Sequence, residues 1–587
     1  MIVFVMKNLL ILVILVIIFG IQFTFFSLKP FTPLIWFLFI IYLYNKNYLY
    51  LAINSYILLL VLFFAEILNF DTIAFRYEMG YSSLIILLTF MFIFFNQELP
   101  KKYSRIITIG SIIITLMIYI VPIVYIIYAF NFNTKITKDI IYAISQTNLQ
   151  ESFEFIKSSI SLYWILLLAF IIPIISILLV KQEKEEKTKI EQLLLIFLLV
   201  YLFSNLLIYR NNIHLISFLN NATKEYKKEL QLFRDEQEKM KTGDIKFDAN
   251  KINKAETYIV IIGESLNKHH MGIYGYKRST TPLLQKSLNT YLKFENAYSN
   301  HTHTMPVLSL ALTEANQLNN YTFYNSLSII DILKKADFES YWISNQNMYG
   351  AWDNLVSIIA HQANHLVSIN HSSGKTTRMQ KFDEEVLFPI KKILRQPNNK
   401  KNRVIFVHLM GNHIDYCLRY PSNKFTQFTN DAPWNSLKST IDCYDNSIIY
   451  NDYVVNSIME ILKTSDGIRG LIYMSDHADD VDNDLGHNSS SFTYSMTQIP
   501  LIMWFSNSYK QKYPLVYNNL VHNQKKLFSN DLFYDSLLGI MQVKTKHYNN
   551  KYDLSSENYE LNDSEAFTLH GKVKYVDKDN QFYSPTK

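Results

Sequence analysis

Cysteine is nearly absent: Cys417 and Cys443 are the only two in 587 residues, and neither sits in a metal-ligand cluster. They can form one bridge in an oxidising compartment or stay as two buried thiols, because sequence does not set the Cα separation that a disulfide needs. A strong excess of one charge is also missing. The net charge of +6 is small for this length, and no basic stripe with interleaved aromatics stands out. Nucleic acid is therefore excluded as a partner. The first apolar run, Leu9 to Phe26, lacks a small-residue cleavage site and is followed by further runs, so it reads as an anchor and not as a removed signal peptide. A single ordinary core is excluded by length, which requires at least two domains.

What the chain does have is apolar sequence, and it lies almost wholly before Arg210. Leu9 to Phe26, Tyr50 to Leu68, Ile106 to Phe130, Ile160 to Val180 and Ile190 to Tyr209 are each long enough to cross about 30 Å of hydrocarbon. Phe31 to Tyr44 and Ser82 to Phe95 are shorter candidates. If all of these cross, Lys7, Lys46, the group Lys101, Lys102 and Arg105, and the group Lys181, Lys184, Lys187 and Lys189 fall on one side. The positive-inside rule makes that side, and the N-terminus, cytoplasmic. Dropping the two short candidates leaves the same final orientation, with the chain after Arg210 emerging on the opposite face. Few ionisable residues lie within the runs, which argues against a transporter. Asn211 to Lys241 has a helical pattern, with Leu215, Leu219, Tyr226, Leu230 and Phe233 roughly on one face. It suits an interfacial helix or a linker helix packed on the next domain. The expected organisation is a multi-span α-helical membrane domain over 1–210, a juxtamembrane helix and linker over 211–256, and a soluble domain over 257–587.

The soluble part alternates strand and helix patterns. Tyr258 to Ile262, Val404 to His408, Leu471 to Met474 and Ile499 to Phe505 are short apolar runs. Helical patterns cover Leu327 to Lys335, Glu384 to Leu394, Asp445 to Lys463 and Asp531 to Met541. This grammar predicts an α/β domain with a largely parallel central sheet, whose ligands bind at the carboxyl ends of the strands. There the sequence places Glu264, then His408 with Gly411-Asn412-His413, then Asp476-His477. Glu264, Asp476 and His477 form an oxygen- and nitrogen-rich set that suits zinc, with a threonine oxygen able to fill a fourth position. The stretch HTHTMP, His301 to Pro306, offers Thr302 and Thr304 just ahead of the apolar helical run Val307 to Leu312. A hydroxyl there sits beside unsatisfied backbone N–H groups, a setting for a nucleophile or for an N-cap.

The blocks YIVIIGES, HHMGIYGYKRSTTPLL, SNHTHTMPVLSLALT, HLMGNHIDYCLRYP, YDNSIIYNDYVV and IYMSDHADD, followed by His487, occur in an order similar to that of membrane phosphoethanolamine transferases of the sulfatase and alkaline-phosphatase superfamily. The resemblance runs from about Tyr258 to Trp504. It implies a monomeric zinc enzyme in a Gram-negative inner membrane, with its catalytic domain in the periplasm. Phosphatidylethanolamine would be the donor, and lipid A, the lipopolysaccharide core or another envelope glycan the acceptor. It implies Thr304 as nucleophile and Glu264, Thr304, Asp476 and His477 as holders of zinc. His413 and His487 would contact the transferred phosphate, act in proton transfer or hold a second zinc. Asn345 and Gln346 would lie near substrate. His301 and His303, beside Thr304 in the chain, either line the acceptor path or flank the site, and flanking is the expectation.

The chain departs from the family where Ser-Asp-His-Gly-Glu becomes Ser-Asp-His-Ala478-Asp479. Alanine does not adopt positive φ as cheaply as glycine, so the loop is expected to turn differently. Two cysteines also fall short of the several disulfides common in the lipid A branch. A true sulfatase is disfavoured: its formylglycine precursor is Cys or Ser followed by arginine four positions on, and here Thr304 is followed by Leu308. The remaining alternatives are a phosphoglycerol transferase of the same fold and a catalytically inactive membrane scaffold or sensor.

Overall fold

The computed structural model describes residues 49–70, 101–132, 134–146, 163–164, 166, 214–242, 246–346, 355–370, 381–396, 401–429, 436–467 and 469–575. The chain separates into two compact units, one of Met1–Ile141 with Ser159–Lys224 and one of Tyr142–Ser158 with Glu225–Lys587.

In the first unit, helix α1 (Leu49–Asn69) and helix α2 (Lys101–Phe132) cover two of the long apolar runs. A polar knot ties their ends. The Asn69 side-chain amide donates to Ala65 O (2.9 Å) and Tyr125 O (3.2 Å), and its carbonyl accepts from the Ile136 N–H (3.2 Å). Counted over the described residues alone, no helix is long and apolar enough to cross a membrane. The runs 9–26, 31–44, 82–95 and 190–209, and nearly all of 160–180, lie outside the described residues. Helix α3 (His214–Thr242) is the expected amphipathic stretch. Near its end Phe233 is buried against Phe323, with ring centroids 6.2 Å apart.

The second unit is built on a seven-stranded sheet. In chain order its strands are β1 (Thr257–Gly263), β2 (Leu292–Phe294), β3 (Phe338–Ser344), β4 (His365–Ser368), β5 (Asn402–His408), β6 (Arg469–Ser475) and β7 (Leu501–Phe505). Across the sheet they run β2-β7-β6-β1-β5-β3-β4. The pairs β1–β5, β1–β6, β3–β5 and β3–β4 are parallel, while β7 runs antiparallel to both β6 and β2. The sheet is therefore mixed yet largely parallel, as expected: β7 alone runs against the other six strands. An apolar run such as Ile499 to Phe505 marks burial and carries no information on strand direction.

The alternation of β1 explains the layers. Tyr258, Val260 and Ile262 face one apolar core, shared with α4 (Thr304–Ala311), α5 (Ile329–Lys335) and α8 (Phe533–Ile540). Ile259 and Ile261 face the other, shared with α6 (Leu387–Arg395) and α7 (Leu437–Lys463). Burial on both faces accounts for the unbroken β-branched run. Helix α5 starts where Ser328 and Asp331 form a capping box. Cys417 and Cys443 are bridged, with Cα atoms 4.7 Å apart, which ties the segment after β5 to α7. Of the two options the sequence left open, the structure holds the disulfide.

Register places the site. Ile262 pairs with His408, Gly263 with Ser475, and Ser344 with His408. The carboxyl ends of β1, β3, β5 and β6 thus lie level, and the residues that follow them gather at one edge.

Candidate active site

Glu264 follows β1 in a tightly built turn. Ser265 holds a positive φ of 56°. Tyr444 of α7 braces it, donating to Ser265 O (2.7 Å) and accepting from the Asn267 N–H (2.8 Å). Gly411 approaches from the β5 side with φ +52°, and a Cβ there would lie 2.8 Å from Glu264 N and 2.9 Å from Glu264 O. Only glycine meets both the conformation and the approach. Asp383 fixes that loop by accepting from the Met410 N–H (2.9 Å) and the Gly411 N–H (2.8 Å).

Thr304 is the first residue of α4, so the cap position belongs to His303, which makes no side-chain capping bond. The capping reading of Thr304 is thereby set aside. Its hydroxyl instead donates to Glu264 Oε2 (3.1 Å) and lies 3.4 Å from His477 Nε2. His477 Nε2 is in turn 3.2 Å from Glu264 Oε1. Glu264, Asp476 and His477 are buried, whereas Thr304 is only half-buried. The arrangement is a closed acidic floor with a reachable hydroxyl at its edge, beside a helix N-terminus. Thr302, the other candidate, is fully buried.

The floor calls for a cation. Asp476 Oδ1 accepts from the Ser265 N–H (3.2 Å) and the His477 N–H (2.7 Å), but Oδ2 is buried with no hydrogen-bond partner. Burial and the neighbouring Glu264 charge push the Asp476 carboxyl up. Burial opposes charge on Glu264 as well, but the hydrogen bond and charge of His477 hold it well below the usual carboxylate range. Two adjacent buried carboxylates with an orphaned oxygen fit a divalent ion. Glu264, Asp476 and His477 offer ligand atoms within 4.8 Å of one another, and so do His477, Asp479 and His487. Oxygen and imidazole donors of this kind suit zinc.

The remaining expected residues divide. His487 is brought in: its ring centroid lies 4.5 Å from that of His477, and its Nδ1 lies 2.8 Å from Asp479 Oδ1. Asp479 also accepts from the Tyr416 hydroxyl (2.6 Å), so the residue that departs from the family pattern is buried and orients His487. Ala478 keeps a negative φ, as the absence of glycine required. His413 is half-buried on the loop after β5, and its charge acts on Glu264. Gln346 donates to Glu264 Oε2 (3.2 Å) and Leu409 O (3.0 Å), which holds the carboxylate in place. Asn345 is fully buried and donates to Asp383 Oδ1 (2.8 Å), two steps away from Glu264. His303, expected only to flank, has its ring 5.2 Å from that of His487. Sequence reasoning passed over Tyr416, Tyr444 and Asp383, single polar residues that no spacing rule marks.

The segment HHMGIYGYKR forms a second charged cluster beside the loop that follows β6. His270 Nδ1 lies 2.9 Å from Asp445 Oδ1 of α7, and Nε2 lies 3.4 Å from Asp482 Oδ2. Tyr276 and Arg278 meet the other Asp445 oxygen at 3.0 and 2.7 Å, and Arg278 also reaches Asp442 at 2.8 Å. Lys277 and His269 act on Asp482 from the same segment. Burial opposes charge on His270, but the two carboxylates outweigh it and push its pKa up from 6.5 to about 9. The folded value is the higher, so this stabilisation is complete below about pH 6.5 and is lost as pH rises through about 9. His270→Asn should flatten the pH dependence of the melting temperature between those values. An unchanged slope would show that the cluster does not set it.

Residues 256–543 match the Sulfatase family model. Among curated relatives, phosphoethanolamine transferase EptC of Escherichia coli is 32% identical over 276 residues, which are 45% of this chain and 47% of that protein. The crystal structure of the C-terminal periplasmic domain of Escherichia coli EptC in complex with Zn aligns with a TM-score of 0.51 at 26% identity, covering 56% of this chain and 93% of that one. The integral membrane lipooligosaccharide phosphoethanolamine transferase EptA from Neisseria meningitidis shares the fold at a TM-score of 0.54 and 18% identity, over 86% of this chain and 96% of that one. The chain spans about half the length of the curated relatives it matches.

Proposed function

We propose that this protein is a zinc-dependent phosphoethanolamine transferase. In this reading residues 1–210 anchor it in a bacterial inner membrane through several spans, 211–256 link, and 257–587 form a periplasmic catalytic domain. The donor is phosphatidylethanolamine. The acceptor is lipid A, the lipopolysaccharide core or another envelope glycan. The observation that carries the reading is Thr304 Oγ1 at the N-terminus of α4, 3.1 Å from Glu264 Oε2 and 3.4 Å from His477 Nε2. The names of the relatives and the apolar runs before Arg210 support the donor and the location.

Glu264, Thr304, Asp476 and His477 would hold zinc, which would lower the pKa of the threonine hydroxyl and take up phosphoryl charge. Thr304 Oγ1, its proton already lost to solvent, attacks the donor phosphorus, the bond to the diacylglycerol oxygen breaks, and a phosphothreonine forms. In the first turn of α4 Pro306 has no N–H and the Val307 N–H donates to His303 O (3.1 Å), which leaves the N–H groups of Thr304 and Met305 to meet that phosphate. His487, with Nδ1–H given to Asp479, uses Nε2 to protonate the diacylglycerol oxygen and then to take the proton of the acceptor hydroxyl. Attack by that hydroxyl returns Thr304 unmodified. His413 and Gln346 hold the charge and orientation of Glu264.

Mass spectrometry of lipid A and envelope glycans from cells carrying the wild type should find a phosphoethanolamine increment. A glycerophosphate increment would identify a phosphoglycerol transferase instead, and no increment would contradict transferase function.

A further inference from the structure

The chain beyond the sulfatase match turns back onto the nucleophile. Strands β8 (Phe567–Thr568) and β9 (Val573–Lys574) form a small antiparallel hairpin. Its tip holds three successive residues at positive φ: Leu569 (50°), His570 (52°) and Gly571 (79°). Leucine and histidine rarely adopt that conformation, so contacts elsewhere must hold the tip.

Those contacts fall on the segment that carries Thr304. Thr568 Oγ1 donates to Ser299 O (2.9 Å), and the His570 N–H to Asn300 O (3.2 Å). His570 Nε2 donates to Pro306 O (3.0 Å), in the first turn of α4. The His570 ring also lies 5.1 Å from that of His301. Behind the tip, Gln317, in the turn six residues beyond the end of α4, donates to Phe567 O (2.8 Å) and accepts from the Gly571 N–H (2.9 Å). At the base, Tyr575 stacks on Tyr298 with ring centroids 3.8 Å apart, and Tyr494 donates to Lys574 O (2.9 Å). The hairpin therefore grips both ends of the nucleophile segment and the loop that follows His487.

We infer that this hairpin is a strap that positions Thr304, with His570 as its positioning residue. The inference rests on the transferase reading for its effect on rate. His570 is exposed, so its ring is not needed to fill a core. What it supplies is a fixed donor to a carbonyl two residues beyond the nucleophile. A nucleophile displaced by a fraction of an ångström loses rate without losing substrate affinity.

The test uses the full chain in membranes, with phosphatidylethanolamine as donor. His570→Ala should lower kcat by about 5- to 20-fold with KM for the donor unchanged. His570→Gln, whose amide can also donate to Pro306 O, should restore most of the rate. Thr568→Val, nearly isosteric, should give a smaller fall of the same kind. Amide exchange across Thr304 to Leu308 should be about fivefold faster in His570→Ala, which reads the strap without reference to activity. Wild-type kcat and exchange in His570→Ala, while Thr304→Ala is inactive, would overturn the strap alone. Full activity of Thr304→Ala would overturn the nucleophile reading, and the exchange rates would still decide the strap.

Discussion

Thr304→Ala should reduce transfer by on the order of 10⁴-fold or more while leaving the fold in place. The size follows from the role, since no second hydroxyl replaces it: Thr302 is fully buried, and Ser265 Oγ is committed to Glu264 Oε1 at 3.0 Å. The fold survives because Glu264 keeps its bonds from Ser265, Gln346 and His477 when the threonine hydroxyl goes. The melting temperature should move by no more than a few degrees, as for a half-buried hydroxyl whose bonds are long. Thr304→Ser should retain part of the rate, because it keeps the oxygen and loses only the methyl that limits its rotation. Full transfer by the alanine variant would remove Thr304 from the chemistry.

Asp476→Asn should abolish the response to zinc. With zinc about a thousandfold above its dissociation constant, the wild type should gain about 4 kcal/mol of stability. In a domain of this size that is on the order of 10 °C in melting temperature. The asparagine variant should gain almost nothing. After exhaustive chelation the order should reverse or vanish, because the substitution removes one of two neighbouring buried carboxylates, that of Asp476, whose Oδ2 has no hydrogen-bond partner. Equal zinc shifts in both proteins would place the metal elsewhere. Transfer should fall about 10³-fold or more, in step with metal content.

These expectations use residues that were legible in the sequence. Glu264, Asp476 and His477 follow unbroken apolar runs, and a strand buried on both faces must read that way. Register then brings their ends together without any further signal. Other elements left weaker traces. Strand β3, FESYWIS, mixes polar and aromatic residues and lacks a β-branched run, although it is almost wholly buried. Strands β2 and β4 are too short for periodicity. The reversed direction of β7 is a topological fact that burial does not encode. Within the site, Gln346 donates to Glu264, a contact between side chains 82 residues apart that no local pattern encodes. Asp479 replaces glutamate and reaches His487 with a shorter side chain, a compensation that only geometry displays. The hairpin at Phe567–Lys574 has two-residue strands and a tip in left-handed backbone, so neither pattern nor propensity announces it.

The most direct measurement is peptide mass spectrometry on the full chain, acid-quenched during turnover with phosphatidylethanolamine. The expected result is a phosphoethanolamine adduct on Thr304, absent from Thr304→Ala and discharged when the acceptor is added. An adduct on another residue, or steady transfer with no adduct at any time, would contradict a phosphothreonine route through this site.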